Sequence, residues 1–173
     1  RSRRGGVATT EEERVCRVVT GQDRQYAGYR DVGGRVGVVA REEVEAEHDL
    51  SLPDALALAG ELLQAERLAE AEQLYDAILA NWPGQPDALH FMGVLRHVQG
   101  NGEAAVALIR QAIAAMPEAG APWNNLGNVL LESQHMDDAI EAYRRCLALA
   151  PGFGDAHNNL GTIHRSRNEW ALA

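Results

Sequence analysis

The sequence contains no lysine, and its charge is strongly one-sided. All sixteen of its Lys or Arg positions are arginine, against 25 acidic residues, so the formal net charge of the 173-residue chain is -9. Nucleic acids and anionic membrane surfaces attract basic patches and repel an acidic protein. The basic stretch at residues 1–4 is offset by the three glutamates at 11–13. We therefore expect neither nucleic acid nor a membrane as the partner.

Cysteines and long apolar segments are also scarce. The two cysteines, Cys16 and Cys146, lack the spacing of a metal site, which predicts reduced thiols in a cytoplasmic compartment. The longest apolar run in the first fifty residues, at 36–40, is too short for a signal peptide or a membrane span. The first methionine is Met92, and the chain begins at Arg1. We expect a cytoplasmic protein whose reading frame is longer than this sequence.

One short motif occurs twice. Asn-Asn-Leu-Gly spans Asn124–Gly127 and again Asn158–Gly161, 34 residues later. Other positions coincide at the same interval, and five such columns in phase indicate a repeat array. Three of these columns are Pro83, Pro117 and Pro151; Leu58, Met92, Leu126 and Leu160; and Ala71, Ala105, Ala139 and Ala173.

Each repeat has the pattern of two helices. In the third, Trp123, Leu126 and Leu130 recur on one helical face, and Asp137 opens a second helix that ends before Pro151. Glycine inside a helix costs about 1 kcal/mol relative to alanine. A glycine that recurs in one column, as at Gly127, therefore predicts close contact between the two helices.

These columns resemble the tetratricopeptide repeat family from about Leu52 to Ala173. The resemblance implies an all-α fold, a right-handed superhelix (α-solenoid) of antiparallel helix pairs with a 34-residue repeat. It also implies three full repeats and a truncated fourth over 51–173, forming a module that binds other proteins.

The first fifty residues lack this period. We expect 1–50 to be an N-terminal extension that is disordered or non-native. The alternative is a small structured extension with short strands in the β-branched segments 14–19 and 33–40.

Enzymatic constellations are poorly represented, and we expect no cofactor, no metal site and no catalytic residues in this segment. His90 and His97, like His157 and His164, are seven residues apart, so each pair is separated by about 10 Å along a helix axis. No glycine-rich phosphate loop is present. An enzyme reading would have to use the N-terminal extension, where Cys16 and His48 are the candidates.

The repeated asparagines are candidate ligand-binding groups. Asn125 and Asn159 precede the apolar Leu126 and Leu160, so we expect them to point away from the core. A carboxamide offers both a donor and an acceptor to a peptide backbone. The predicted peptide-binding residues are His90, Phe91, Asn124, Asn125, Asn128, Asn158 and Asn159. The alternative is that the asparagines cap or bridge neighbouring helices.

The repeats are similar to those of protein O-linked N-acetylglucosamine transferases, whose groove holds the acceptor polypeptide. That resemblance implies an extended polypeptide in the concave groove and an N-terminal, substrate-recruiting arm of a larger bacterial transferase. A free-standing adaptor or scaffold is the alternative. The oligomeric state is left open by the sequence.

Overall fold

The computed structural model of the chain describes the strand backbones at 16–19, 26–31, 36–40 and 47–49 and all of residues 50–166. The chain divides into two compact units, Arg1–Pro83 and Gly84–Ala173. Each unit is described separately below.

The described residues of the first unit form four strands and two helices. The strands are β1 (Cys16–Val19), β2 (Tyr26–Asp31), β3 (Val36–Ala40) and β4 (Glu47–Leu50). They form one sheet in the order β2-β3-β1-β4, in which β1 runs parallel to β3 and antiparallel to β4. Strands β1 and β3 fall inside the two segments that the structured alternative named. The division of the chain at residue 50 stays a prediction.

Within the part of the chain that the structure describes, seven helices follow the sheet, two in the first unit and five in the second. In the first unit they are α1 (Leu52–Gln64) and α2 (Leu68–Asn81). In the second unit they are α3 (Pro86–Val98), α4 (Gly102–Ala115), α5 (Gly120–Glu132), α6 (Met136–Leu149) and α7 (Gly154–Ser166). In the second unit, α3 packs on α4 and α5 on α6. The predicted helical repeat is confirmed, and α7 occupies the position of a first helix, 34 residues after α5. The number of repeats stays a prediction.

Local sequence signals explain where the helices begin. The Ser51 hydroxyl accepts a hydrogen bond from the backbone N–H of Asp54 at the start of α1. The side chains of Gln85 and Asn101 do the same for α3 and α4, accepting from residues three positions further on. These caps satisfy N–H groups that have no partner inside the helix.

The turn between the two helices of a repeat needs a left-handed residue, and its position obeys the period. Gly100 has a φ of 79°, and Gln134, 34 residues later, has a φ of 63°. Glu66 occupies the same position in the first unit with a φ of 57°. Glycine adopts this conformation without steric strain, whereas other L-residues do not.

The small columns have the packing role that the sequence predicted. A Cβ atom added at Gly127 would lie 2.5 Å from Cε1 of Tyr143, and one at Gly93 would lie 2.6 Å from Cγ1 of Ile109. Tyr143 and Ile109 are fully buried. The glycines therefore allow the first helix of each pair to lie against a large side chain of the second.

Candidate peptide-binding groove

The candidate site lies on the first helices of the second unit. One face of α3, α5 and α7 carries the same three columns of the repeat. On each helix the first and last of these residues are seven positions apart. These residues, here called the groove face, are Phe91, Val94 and Val98 on α3, Asn125, Asn128 and Glu132 on α5, and Asn159, Thr162 and Ser166 on α7.

Asn125 connects α5 to α3. Its Nδ2 lies 2.8 Å from Nε2 of His90, and its Oδ1 is 3.4 Å from Nδ2 of Asn124. Burial lowers the pKa of His90, against the opposing charge of Asp87, so the ring is neutral at pH 7. A neutral ring can accept at Nε2, and Asn125 Nδ2 is then the donor. One Asn125 N–H is thereby fixed across the interface of two repeats.

Asn159 connects α7 to α5 in a parallel manner. Its Nδ2 donates to Oδ1 of Asn128 at 3.0 Å, and the Tyr143 hydroxyl donates to the same oxygen at 2.9 Å. Asn128 therefore joins α5, α6 and α7 through one acceptor. Burial raises the pKa of Tyr143 to about 12, and the nearby Glu132 carboxylate acts in the same direction. The phenol keeps its proton at neutral pH and remains a donor.

The hydrogen bonds are those of the bridging alternative, yet they leave part of each carboxamide available. Asn125 and Asn159 are both half-buried. Each has two N–H groups, and the bridge uses one of each; the Asn159 carboxamide is also a hydrogen-bond partner of the Tyr143 hydroxyl. Within the part of the chain that the structure describes, Asn159 Oδ1 accepts no hydrogen bond. Bridging one repeat to the next thus orients groups that a ligand could still reach.

Two predicted contact residues are buried instead of groove-lining. Asn124 is 4% exposed and His90 is 5% exposed, which corrects the expectation that they face a ligand. Adjacent positions on a helix point about 100° apart, so Asn124, which precedes Asn125, and His90, which precedes Phe91, turn away from the groove face. Asn125 of the next first helix covers His90. The backbone N–H of Asn124 hydrogen-bonds the Cys146 thiol. The buried side-chain Oδ1 of Asn124 accepts no hydrogen bond from the described residues.

The remaining predicted residues are accessible. Asn158 is exposed, Asn128 and Asn159 are half-buried, and Phe91 is 38% exposed. The Phe91 ring lies 4.7 Å from that of His90, centroid to centroid. Together they leave an amide-rich surface on α5 and α7 and an aromatic one on α3.

An open cleft of about 520 Å³ lies where α5, α6 and α7 meet. Its lining includes three of the asparagines and two carboxylates; the residues are His97, Asn128, Leu131, Glu132, Tyr143, Asp155, Asn158 and Asn159. His97 Nε2 is 3.3 Å from Glu132 Oε1.

The sequence reading missed the contribution of His97, Glu132, Tyr143 and Asp155 to this cleft. Glu132 stands four residues after Asn128 and seven after Asn125, on the same helical face. That spacing was the available signal for Glu132.

Groups that could support catalysis are few in the described part of the chain. Cys146 is fully buried, and burial raises the pKa of its thiol, which disfavours a thiolate nucleophile. His157 donates from Nε2 to the Pro151 carbonyl at 2.8 Å, and His164 is buried. Among the residues described, no group of three or more His, Cys, Asp or Glu side chains could hold a metal ion. The side chains of Cys16 and His48 lie outside the described residues.

None of the helices described has both the length and the apolar character needed to cross a membrane.

Comparison with known proteins identifies the family to which these repeats belong. Two family models, both of the Tetratricopeptide repeat, match residues 62–128 and 121–153, which together span 62–153. The chain belongs to the tetratricopeptide repeat family. Repeats of this family are interaction modules, so this segment serves protein–protein interaction.

The chain spans a small part of the length of the following two relatives. The Peroxisomal targeting signal receptor of Eremothecium gossypii is 33% identical over 75 residues, which is 43% of this chain and 13% of that protein. The structure of an O-GlcNAc transferase mutant from Thermobaculum terrenum matches with a TM-score of 0.64 at 29% identity, covering 65% of this chain and 22% of that one. The repeats are therefore similar to those of an O-GlcNAc transferase.

A third comparison bears on the fold alone. The first TPR of Spaghetti, solved with a bound HSP90 peptide, matches with a TM-score of 0.63 at 17% identity. That match covers 68% of this chain and 93% of the other.

Proposed function

We propose that the groove face of α3, α5 and α7 binds an extended polypeptide segment of another protein. In this proposal Asn125 and Asn159 hydrogen-bond the backbone of the ligand. The observation that supports it is the arrangement of these two carboxamides, each held by one bond to the preceding first helix while partly exposed. A donor fixed before binding loses little freedom when the ligand arrives.

The spacing of the two asparagines fits an extended chain. Packed helices lie about 10 Å apart, and an extended peptide advances about 3.3 Å per residue. Each first helix therefore meets roughly every third residue of the ligand. Contacts to the backbone tolerate many side chains, so the groove would accept a class of sequences.

We further propose that this module recruits substrates for a larger transferase. The similarity of its repeats to those of an O-GlcNAc transferase supports this context. A cytoplasmic location belongs to the same proposal.

A free-standing adaptor is the second candidate. The similarity to a Peroxisomal targeting signal receptor favours it, because that relative is named as a receptor and not as a transferase. The coding sequence after Ala173 distinguishes the two, since only the first requires a transferase domain there.

The proposal is tested with a pool of random peptides of about twelve residues, acetylated and amidated, which is long enough to cross three first helices. Peptides retained by the full chain are labelled, and their affinity is measured by fluorescence anisotropy. We expect Asn125→Ala with Asn159→Ala to weaken binding by about 1–3 kcal/mol, since the ligand's polar groups lose their partners.

The matched control is Gln111→Ala, which removes an exposed carboxamide from the second helix α4. It should leave affinity unchanged. Each variant's free energy of unfolding is measured alongside. A double variant that is destabilised but binds normally in its folded fraction would show that the asparagines only bridge helices.

A further inference from the structure

The groove face changes character within one repeat. On α3 it consists of Phe91, Val94 and Val98, and Phe91 and Val98 are 38% and 58% exposed. They are the exposed large hydrophobic residues of the part that the structure describes. Three apolar side chains in one stripe, two of them open to solvent, form a surface that favours apolar contact.

The same columns on α5 and α7 are polar. Asn125, Asn128 and Glu132 replace the three apolar residues 34 positions later. The contrast lies on the groove face, although the helices share one packing scheme. A ligand crossing from α3 to α7 therefore meets an apolar surface first and an amide and carboxylate surface next.

The cleft beyond Asn125 has a negative charge balance. Glu132 and Asp155 line it, and its asparagines add carbonyl oxygens. Of the basic groups, His97 lines the cleft and faces Glu132, and Arg165 donates from Nη2 to Thr162 on α7. The His97 side chain is 20% exposed and that of Glu132 is 72% exposed, so the carboxylate remains accessible to a ligand. Carboxylates and amide oxygens together suit an ammonium or guanidinium group.

We infer that the groove selects peptides with two features: an aromatic or branched apolar side chain over α3, and a lysine or arginine side chain in the cleft between α5 and α7. This inference rests on the proposed function. The cleft is one to one and a half helix spacings from α3, which places the two side chains about three to five residues apart.

The test uses acetylated and amidated twelve-residue peptides with a glycine, serine and alanine background. The reference peptide carries phenylalanine at its fourth position and arginine at its eighth. Companion peptides replace the arginine with glutamate, replace the phenylalanine with serine, or exchange the two. We expect the reference to bind about fivefold more tightly than the glutamate peptide and about tenfold more tightly than the serine peptide.

Variants of the full chain assign each preference to its surface. Glu132→Gln with Asp155→Asn should abolish the preference for arginine and keep that for phenylalanine. Phe91→Ser with Val98→Ser should do the reverse. Glu103→Gln, on the exposed surface of α4, is the matched charge control and should change neither.

Equal affinity for all the peptides, or an arginine preference that survives in the Glu132 and Asp155 variant, would overturn the inference. The proposed function fails separately, because it requires weaker binding after Asn125→Ala with Asn159→Ala whatever side chains the peptide carries. If the side-chain preferences persist while that double variant binds normally, backbone recognition by the two asparagines is refuted and the inference about side chains stands. The absence of binding to every peptide would refute both.

Discussion

The helix pairs α3–α4 and α5–α6 share an interior but not a groove face. Gly93 and Gly127 occupy one column, and each contacts the large residue that the partner helix places opposite, Ile109 or Tyr143. The groove columns, by contrast, change from apolar to polar. Residues between the helices are held by mutual packing, whereas residues on the groove face are less constrained by packing and can differ to suit a ligand.

One interior column changes from apolar to polar together with the groove. Tyr143 in α6 donates to Asn128, and both are polar. The equivalent residues of the preceding pair are Ile109 and Val94, and both are apolar. In both cases the two residues match in polarity, so neither residue pair leaves a buried polar group without a hydrogen-bond partner. Such an unpaired group would cost about 1–3 kcal/mol. The polarity of the α5 groove therefore has a counterpart inside the pair.

The largest expected effect on stability comes from a substitution at Gly127. Gly127→Ala places a Cβ within 2.8 Å of three ring atoms of the buried Tyr143, so we expect a loss of about 1–3 kcal/mol in the free energy of unfolding. Gly161→Ala is the control in the same column, where no atom of the described residues lies within 4 Å of the added Cβ. It should stabilise by up to about 1 kcal/mol, because alanine favours helix. Similar urea unfolding curves for the two variants would refute the packing role of Gly127.

The next effect concerns the coupling of Asn128 to Tyr143. Asn128→Val reproduces the residue of the preceding pair but leaves the Tyr143 hydroxyl without its acceptor, which should lower stability by about 1–2 kcal/mol. Adding Tyr143→Phe should restore part of that loss, because the stranded hydroxyl is gone. A double-mutant cycle by urea unfolding measures this coupling. Strictly additive effects would mean that the two positions vary independently.

A smaller effect is expected in the turns. Gln134 has a positive φ at the position where the preceding repeat has Gly100. Gln134→Gly should therefore raise stability by about 0.5–1 kcal/mol, since it removes left-handed strain from a residue with a side chain. Gly100→Gln should lower stability by a similar amount. Thermal unfolding of both variants checks the pair, and a destabilised Gln134→Gly protein would contradict the expectation.

The smallest predicted effect is a pH dependence of stability that arises from His90 on α3. Burial makes the pKa of His90 lower in the folded than in the unfolded chain, so the unfolded state binds a proton first as pH falls through the ordinary histidine pKa of 6.5. Stability should therefore decline from pH 7 towards pH 5. His90→Gln keeps an acceptor for Asn125 and should decline less over the same interval. Urea unfolding at successive pH values checks this, and parallel declines would assign the effect to other groups.

The sequence predicted the parts of the structure that depend on repetition. Columns such as Gly93 and Gly127 recur because two helices must approach closely, so the helix pairs and the close contacts follow from the period. The outward direction of Asn125 and Asn159 followed from their position before a leucine that packs in the core, Leu126 or the partly buried Leu160.

The site was less predictable because it depends on contacts between repeats. Asn124 is buried although its neighbour Asn125 is partly exposed, and only the packing of successive first helices decides which of two adjacent residues is covered. The carboxylates of the cleft belong to columns that do not repeat: Glu132 aligns with Val98, and Asp155 aligns with Ala121. Strand β4 ends at Leu50 and helix α1 begins at Leu52, which is where the helical period of the sequence starts. The order of the strands could not be predicted from composition.

The central claim, that the asparagines of α5 and α7 contact the ligand backbone, is tested most directly by side-chain amide NMR. The Nδ2 resonances of ¹⁵N-labelled protein are followed while a peptide selected from the random pool is added. The account predicts that the signals of Asn125 and Asn159 shift with the affinity measured by anisotropy, while those of Asn81 and Asn101, which serve their own helices, stay in place. Saturating binding that leaves the Asn125 and Asn159 signals unmoved would contradict it.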